Sequence, residues 1–227
     1  MILAEDLLLL LLNDMSGKAL TDKTRLDLAL AGAVLLDLTT LGRVDVAADG
    51  EQVKAGRLVV RDVSTTGDDV LDEGLRRIEA SRPKKPEGVL PALVKGLRER
   101  LLERLVERGI VRAEEGRVLG IFPTHSWPAV TSDHERQVRA ALMDVLVAGR
   151  TPAPREAALV SLLQAIDQVP KVLGEVNVPA RDLRRRAKEI SEGGFADVAV
   201  RKAVQAVNSA MTAAVAGAIV AGGAASG

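Results

Sequence analysis

The chain has no cysteine and no tyrosine, and only one tryptophan and two phenylalanines among its 227 residues. The lack of cysteine excludes disulfides, thiolate metal centres and cysteine nucleophiles, and it fits a reducing compartment. With aromatics at 1%, the core has to come from Leu, Val, Ala and Ile, which favours helices over a large β-sandwich. Net charge is also missing: 31 Lys and Arg stand against 31 Asp and Glu. No global field therefore draws the chain to nucleic acid or to an anionic membrane, and any attraction has to be local. The two histidines, His125 and His134, have no zinc spacing. A Gly-x-Ser-x-Gly elbow, a phosphate-binding glycine loop and a dinucleotide fingerprint are absent. The residues thus point away from an enzyme, and no cofactor or metal is expected.

Long apolar runs are scarce too. Leu7–Leu12 is six leucines in a row, but Glu5 and Asp6 precede it and Asn13 and Asp14 follow. A signal peptide wants a basic start, and a span wants roughly 20 apolar residues. The stretch 203–227 is rich in Ala and Gly and is broken by Gln205, Asn208, Ser209 and Thr212. It reads as a central buried helix rather than a span. The expectation is a soluble, cytoplasmic protein.

Residues 3–12 read as a short apolar helix, and Thr21 or Asp22 caps a second helix running to Leu41. Residues 43–47 and 57–60 read as a hairpin, and a helix follows over 68–80. The loop Arg82-Pro-Lys-Lys-Pro-Glu-Gly88 is basic and proline-rich. A second hairpin is predicted from 110–113 and 117–122, turning at Glu114-Glu-Gly116. Its flanks Val118, Leu119, Ile121 and Phe122 read as core, with a dimer contact as the alternative. Helices are then expected over 131–149, 154–168, 179–191 and 195–220, punctuated by prolines. The sum is a mainly α, single compact helical domain over residues 1–227, with one or two β-hairpins.

One helix stands out. Leu90–Gly109 reads as continuous, and at helical spacing Arg98 has Val94, Leu101, Leu102 and Leu105 for neighbours. An arginine on an apolar stripe keeps its charge, so it must meet a carboxylate, a carbonyl, water or an anionic ligand. Lys95, three residues earlier on the same side, makes the pair a seat for a phosphate; an internal ion pair or a snorkelling arginine is the competing reading.

Three segments carry a family resemblance. They are Leu3-Ala-Glu-Asp-Leu-Leu-Leu-Leu-Leu-Leu-Asn-Asp-Met-Ser-Gly17 with the helix ending in Leu41-Gly-Arg-Val44, then Gly67-Asp-Asp-Val-Leu-Asp-Glu-Gly-Leu75, then Lys95-Gly-Leu-Arg-Glu-Arg-Leu101 running into Leu105-Val-Glu-Arg-Gly-Ile110. In this order and spacing the chain resembles the Golgi phosphoprotein 3 family, and its composition looks bacterial. The resemblance implies a helical fold around a central apolar helix, with a protruding hairpin. It also implies peripheral binding to membranes carrying phosphatidylinositol 4-phosphate, and recognition of cytosolic tails of membrane proteins. By that resemblance the headgroup is held by Lys95 and Arg98, together with a Trp and an Arg whose positions here hold Asp22 and Ala31.

The expectation is therefore a peripheral membrane protein with Lys95 and Arg98 on an anionic headgroup and Arg82, Lys84 and Lys85 facing the membrane. Its partners would be an anionic lipid and protein tails, and a homo-oligomer through a β-hairpin is a further candidate. Trp127, beside Pro128, reads either as an interfacial anchor or as packed on its own domain. Two alternatives remain. A helix ending in Leu105-Val-Glu-Arg-Gly-Ile110 before a hairpin suits a winged-helix DNA-binding regulator, but Glu99, Glu103 and Glu107 interrupt its arginines. A helical tail adaptor without lipid specificity is the other. The carboxylate pairs Asp72-Glu73 and Glu114-Glu115, and the charge runs 136–139 and 184–186, read as solvated faces.

Overall fold

The computed structural model describes residues 1–118, 122–131, 133–192 and 205–217, with backbone alone over 116–118 and 122–124. Helix α1 spans Leu3–Leu10, and every residue in it is buried, Glu5 and Asp6 included. Helix α2, Lys23–Thr40, starts where the Asp22 carboxylate accepts the Arg25 N–H at 3.0 Å. It is the centre of the fold, packing against α1, against α3 (Asp69–Glu79), α4 (Pro86–Val94) and α5 (Leu97–Glu107), and against α7 (Pro154–Ala165). Its run Ala29, Ala31, Gly32, Ala33 is buried and small, so neighbours come close on several sides. Leucines fill the rest of the core, each worth about 1.5–3 kcal/mol when fully buried.

Strands β1 (Val44–Val46) and β2 (Leu58–Val60) pair antiparallel, Val44 opposite Val60. Strands β3 (Glu114–Val118) and β4 (Phe122–Ser126) form a second antiparallel pair, Glu114 opposite Ser126. Helix α6 (Asp133–Leu146), α8 (Val169–Leu173), α9 (Ala180–Ser191) and α10 (205–217) complete the described residues. The protein is mainly helical, a single compact domain with two small hairpins. No helix among the described residues is long and apolar enough to cross a membrane.

Three sequence readings need correction, and a fourth lies outside the described residues. The stretch Leu90–Gly109 is two helices, because Gly96 takes a left-handed conformation (φ 70°) after Lys95 leaves the helical region. Glu114-Glu-Gly116 is strand, not turn; the link between β3 and β4 falls at 119–121, outside the described residues. Val118 and Phe122 are in strand, but their side chains, like Leu119 and Ile121 altogether, lie outside what is described. The central buried helix is α2, not the C-terminal one. Within 205–217 only Val207, Ala210, Met211 and Val215 are buried, so this helix packs by one face.

Candidate functional site

The basic loop is strapped to the first hairpin. Leu58 N–H donates to the Lys84 carbonyl at 2.8 Å, and Arg57 Nη1 donates to the Pro83 carbonyl at 2.7 Å. Arg82, Lys84 and Lys85 are exposed, and none has a carboxylate partner among the described residues. Lys84 also lines a cavity of about 620 Å³ under the hairpin, whose other charged lining includes the Glu51–Arg61 pair and Glu79. Hydrogen bonding from Arg61 lowers the Glu51 carboxyl to about 2.

Helices α4 and α5 are separated by the break at Lys95-Gly96. Arg77 staples that break, its Nη1 donating to the carbonyls of Ala92 (3.1 Å) and Lys95 (2.7 Å). Helix α5 then begins without a side-chain cap, which leaves its first amides, at Leu97, Arg98 and Glu99, without helical partners. Such a terminus carries partial positive charge.

Lys95 and Arg98 flank this terminus but do not share a cavity. Lys95 is exposed, without an ion-pair partner among the described residues, and lines a cavity of about 220 Å³ with Asp69, Glu73 and Arg100. Arg98 lines a groove of about 390 Å³ with Glu99, Leu102, Glu103, Val106 and Trp127. The expected same-side pair is lost because the two residues are not on one helix.

The counter-ion of Arg98 is internal. Its Nη1 lies 3.8 Å from Asp27 Oδ1, too far for a hydrogen bond. Its Nη2 donates to Glu99 Oε1 at 3.3 Å, and its buried Nε has no acceptor. The Asp27 side chain is 9% exposed and that of Arg98 25%. Lys23 Nζ bonds Asp27 Oδ2, while Oδ1 is buried with no hydrogen bond. Arg98 is thus attracted inward yet has most of its donors unused.

Of the positions the resemblance assigns to a Trp and an Arg, Asp22 is the exposed cap of α2 and Ala31 is fully buried in the core. An aromatic ring reaches the site from elsewhere. Trp127, half-buried and stacked on His125 with centroids 6.3 Å apart, stands in the Arg98 groove.

The strongest charge cluster escaped the sequence reading. Arg104, not Arg98, is the deeply buried cation of α5. It meets Glu5 at 3.0 Å, both oxygens of Asp68 at 2.8 and 2.6 Å, and Asp69 at 3.0 Å. Arg108 also reaches Glu5, at 3.2 Å. Burial opposes ionisation of Asp68, but hydrogen bonds from Arg104 and the α3 amides outweigh it and hold its pKa below the ordinary value. Bonding to Asp68 likewise raises Arg104. Asp6 makes a second cluster, with His134 Nε2 at 2.8 Å and Arg155 Nη2 at 2.7 Å. The signal for both was present: two carboxylates inside a leucine run must find cations when they are buried.

The family profile of Golgi phosphoprotein 3 matches residues 3–207. The chain belongs to the Golgi phosphoprotein 3 family. It is also similar to the vacuolar protein sorting-associated protein 74 of Eremothecium gossypii, 29% identical over 163 residues that make up 64% of this chain and 49% of that protein. This Golgi phosphoprotein 3 family chain thus spans about half the length of that relative. The family match takes in α1, the break between α4 and α5 and the helices through α9.

Proposed function

We propose that this Golgi phosphoprotein 3 family member is a non-enzymatic adaptor that sits peripherally on a membrane and takes the phosphate of an anionic lipid headgroup at the start of α5. The uncapped α5 terminus, with Arg98 in its first turn and Lys95 just before it, is the observation that carries this reading. Free amides, a helix dipole and a guanidinium with unused donors all favour an anion there. Trp127 supplies a flat ring beside it. In the family the headgroup is that of phosphatidylinositol 4-phosphate.

Arg82, Lys84 and Lys85 complete the membrane-facing set. At about 1 kcal/mol per cation near an anionic surface, five cations give roughly 10⁻⁴ M binding, so residence on a membrane needs a second contact. Vesicle flotation tests the reading. Wild type should float with anionic vesicles, and Lys95→Ala/Arg98→Ala should lose most of that. Equal flotation of both proteins would remove the site.

A second reading rests on the groove beyond Arg98. Its rim carries Glu99, Glu103 and Glu107, and its floor Leu102, Val106 and Trp127. That lining suits a basic segment with an apolar anchor, as in cytosolic tails of membrane proteins. The same glutamates disfavour a nucleic-acid partner for α5.

A further inference from the structure

Two turns meet beside the Arg98 groove. The Ala129 N–H donates to the Asp14 carbonyl at 3.0 Å, and the Trp127 N–H donates to the Gly17 carbonyl at 3.1 Å. Met15 and Val130 each stand one residue from an end of the first bond. Met15 is 90% exposed, the most of the large apolar residues described, and Val130 is 57% exposed. Trp127, on the second bond, is half-buried and lines the groove with Arg98 and Val106. An apolar rim thus runs from the groove out to the tip of the Met15 turn.

An exposed methionine at a tip gains by entering an apolar medium, provided the turn does not carry bare polar groups with it. This turn binds much of its own backbone. Gly17 N–H donates to the Asn13 carbonyl at 2.7 Å, and Asn13 N–H to the Lys18 carbonyl at 2.9 Å. Ser16 donates its N–H and its hydroxyl to Asn13 Oδ1, at 2.8 and 2.9 Å. The turn is also held in place, because a Cβ on Gly17 would fall 2.2 Å from the Trp127 nitrogen. The flanking charges are largely paired. Asp14 lies 3.7 Å from Arg139, Arg112 meets Glu114 at 2.6 Å, and Arg136 meets Asp133. Of the groove's glutamates, Glu99 has Arg98 at 3.3 Å, and Glu103 and Glu107 have Arg100 at 3.4 and 3.9 Å. Lys18 and Glu115, exposed and without ion-pair partners among the described residues, are of opposite sign.

Resting on the headgroup reading above, we propose that Met15 and Val130 form a membrane-insertion tip. They enter the acyl boundary of the bilayer while the phosphate sits at the start of α5, and Trp127 lies at headgroup level between them. The tip is the second contact that the cations alone do not supply. A nearly neutral, apolar rim suits acyl chains better than a charged partner. It is also small: two side chains and part of a ring fall far short of the roughly 800 Å² per side of a stable protein contact. A bilayer asks for less, because insertion adds to groups already held at its surface.

The chain has no native cysteine, so Met15→Cys and Val130→Cys can each carry one environment-sensitive NBD label. Arg181→Cys on α9, where the side chain is 89% exposed, is the control. On phosphatidylcholine vesicles carrying phosphatidylglycerol and phosphatidylinositol 4-phosphate, the labels at 15 and 130 should brighten, shift to the blue and be quenched by brominated acyl chains. The label at 181 should not respond. Unlabelled Met15→Asp should float about tenfold less than wild type, whereas Met15→Leu should float as wild type does. Labels at 15 and 130 that stay in water, with flotation still lost in Lys95→Ala/Arg98→Ala, overturn this inference and leave the headgroup seat standing. Labels that enter lipid while flotation ignores Lys95 and Arg98 overturn the seat and keep the tip. Equal responses at all three positions report unspecific adsorption and overturn the tip. A blue shift that appears on raising protein concentration without vesicles assigns the patch to a second copy of the chain and overturns the membrane assignment. Wild type that does not float overturns both readings.

Discussion

Glu5 is wholly buried, and Arg104, Arg108 and the Ile2 N–H converge on its carboxylate. Removing one partner of such a pair strands the other. Arg104→Ala should therefore cost about 3–5 kcal/mol in urea unfolding. The double change Glu5→Gln/Arg104→Met should recover only the part owed to Glu5, because Asp68 and Asp69 still lose their cation. Asp37 runs the other way. Burial raises its pKa, only partly offset by the Leu3 N–H, which donates at 2.7 Å, and by Arg155. A carboxyl with a raised folded pKa favours the fold when protonated, so its penalty is present at neutral pH and fades as pH falls. Asp37→Asn keeps an acceptor for Leu3 and should leave stability at pH 7 unchanged or raised by up to about 1 kcal/mol. Asp68, with its lowered value, contributes stability above the ordinary carboxylate range and loses it as pH drops through the folded value. Asp68→Asn should lower stability at pH 7 and flatten the acid limb of a stability profile below about pH 4. Residue by residue, Arg98 was legible because it interrupts a leucine pattern nearby in sequence. Arg104 was not, because its partners lie at residues 5, 68 and 69, beyond the reach of local spacing.

Among the elements, α1, α2, the first hairpin and α3 could be read from caps, glycines and periodicity. Asp22 and Asp68 do cap α2 and α3. The break between α4 and α5 was missed because one glycine within an apolar period is tolerable in a helix, and only its φ shows that the helix stops. The register of β3 and β4 was missed because Glu-Glu-Gly resembles a turn, whereas the cross-strand pairing is a tertiary choice. The five-residue α8 was too short to show a period. Two glycines separate strain from crowding. At Gly96 an added methyl meets nothing within 4 Å, so Gly96→Ala should cost only about 1 kcal/mol, from its left-handed backbone. At Gly17 the methyl would fall on the backbone of Trp127 and Pro128, which cannot rotate away. Gly17→Ala should be the more damaging by at least ~1 kcal/mol and should loosen the turn from the hairpin, seen as faster amide exchange at Trp127.

For the whole molecule, the balance of 31 cations and 31 acids makes any membrane attraction a matter of arrangement. Arg82, Lys84 and Lys85, free of carboxylate partners among the described residues, act over about a Debye length, whereas the enclosed Arg98–Asp27 contact is screened far less. Raising salt from 50 to 500 mM should therefore weaken vesicle binding of wild type strongly. The triple alanine variant of the loop should bind less at low salt and show a shallower salt slope. A slope equal to that of wild type would place the loop away from the bilayer.

The placing of α1 has a consequence for how the chain is made. Helix α1 carries two acids whose basic partners come much later in the chain. Asp6 waits for His134 and Arg155, 128 and 149 residues downstream. Until α7 has emerged, a sticky leucine segment with unquenched carboxylates has no finished home, and the nascent chain must be kept from aggregating by its own solubility or by a chaperone. Closure of the domain is thus a late event of synthesis, set by the distance between an aspartate and its arginine.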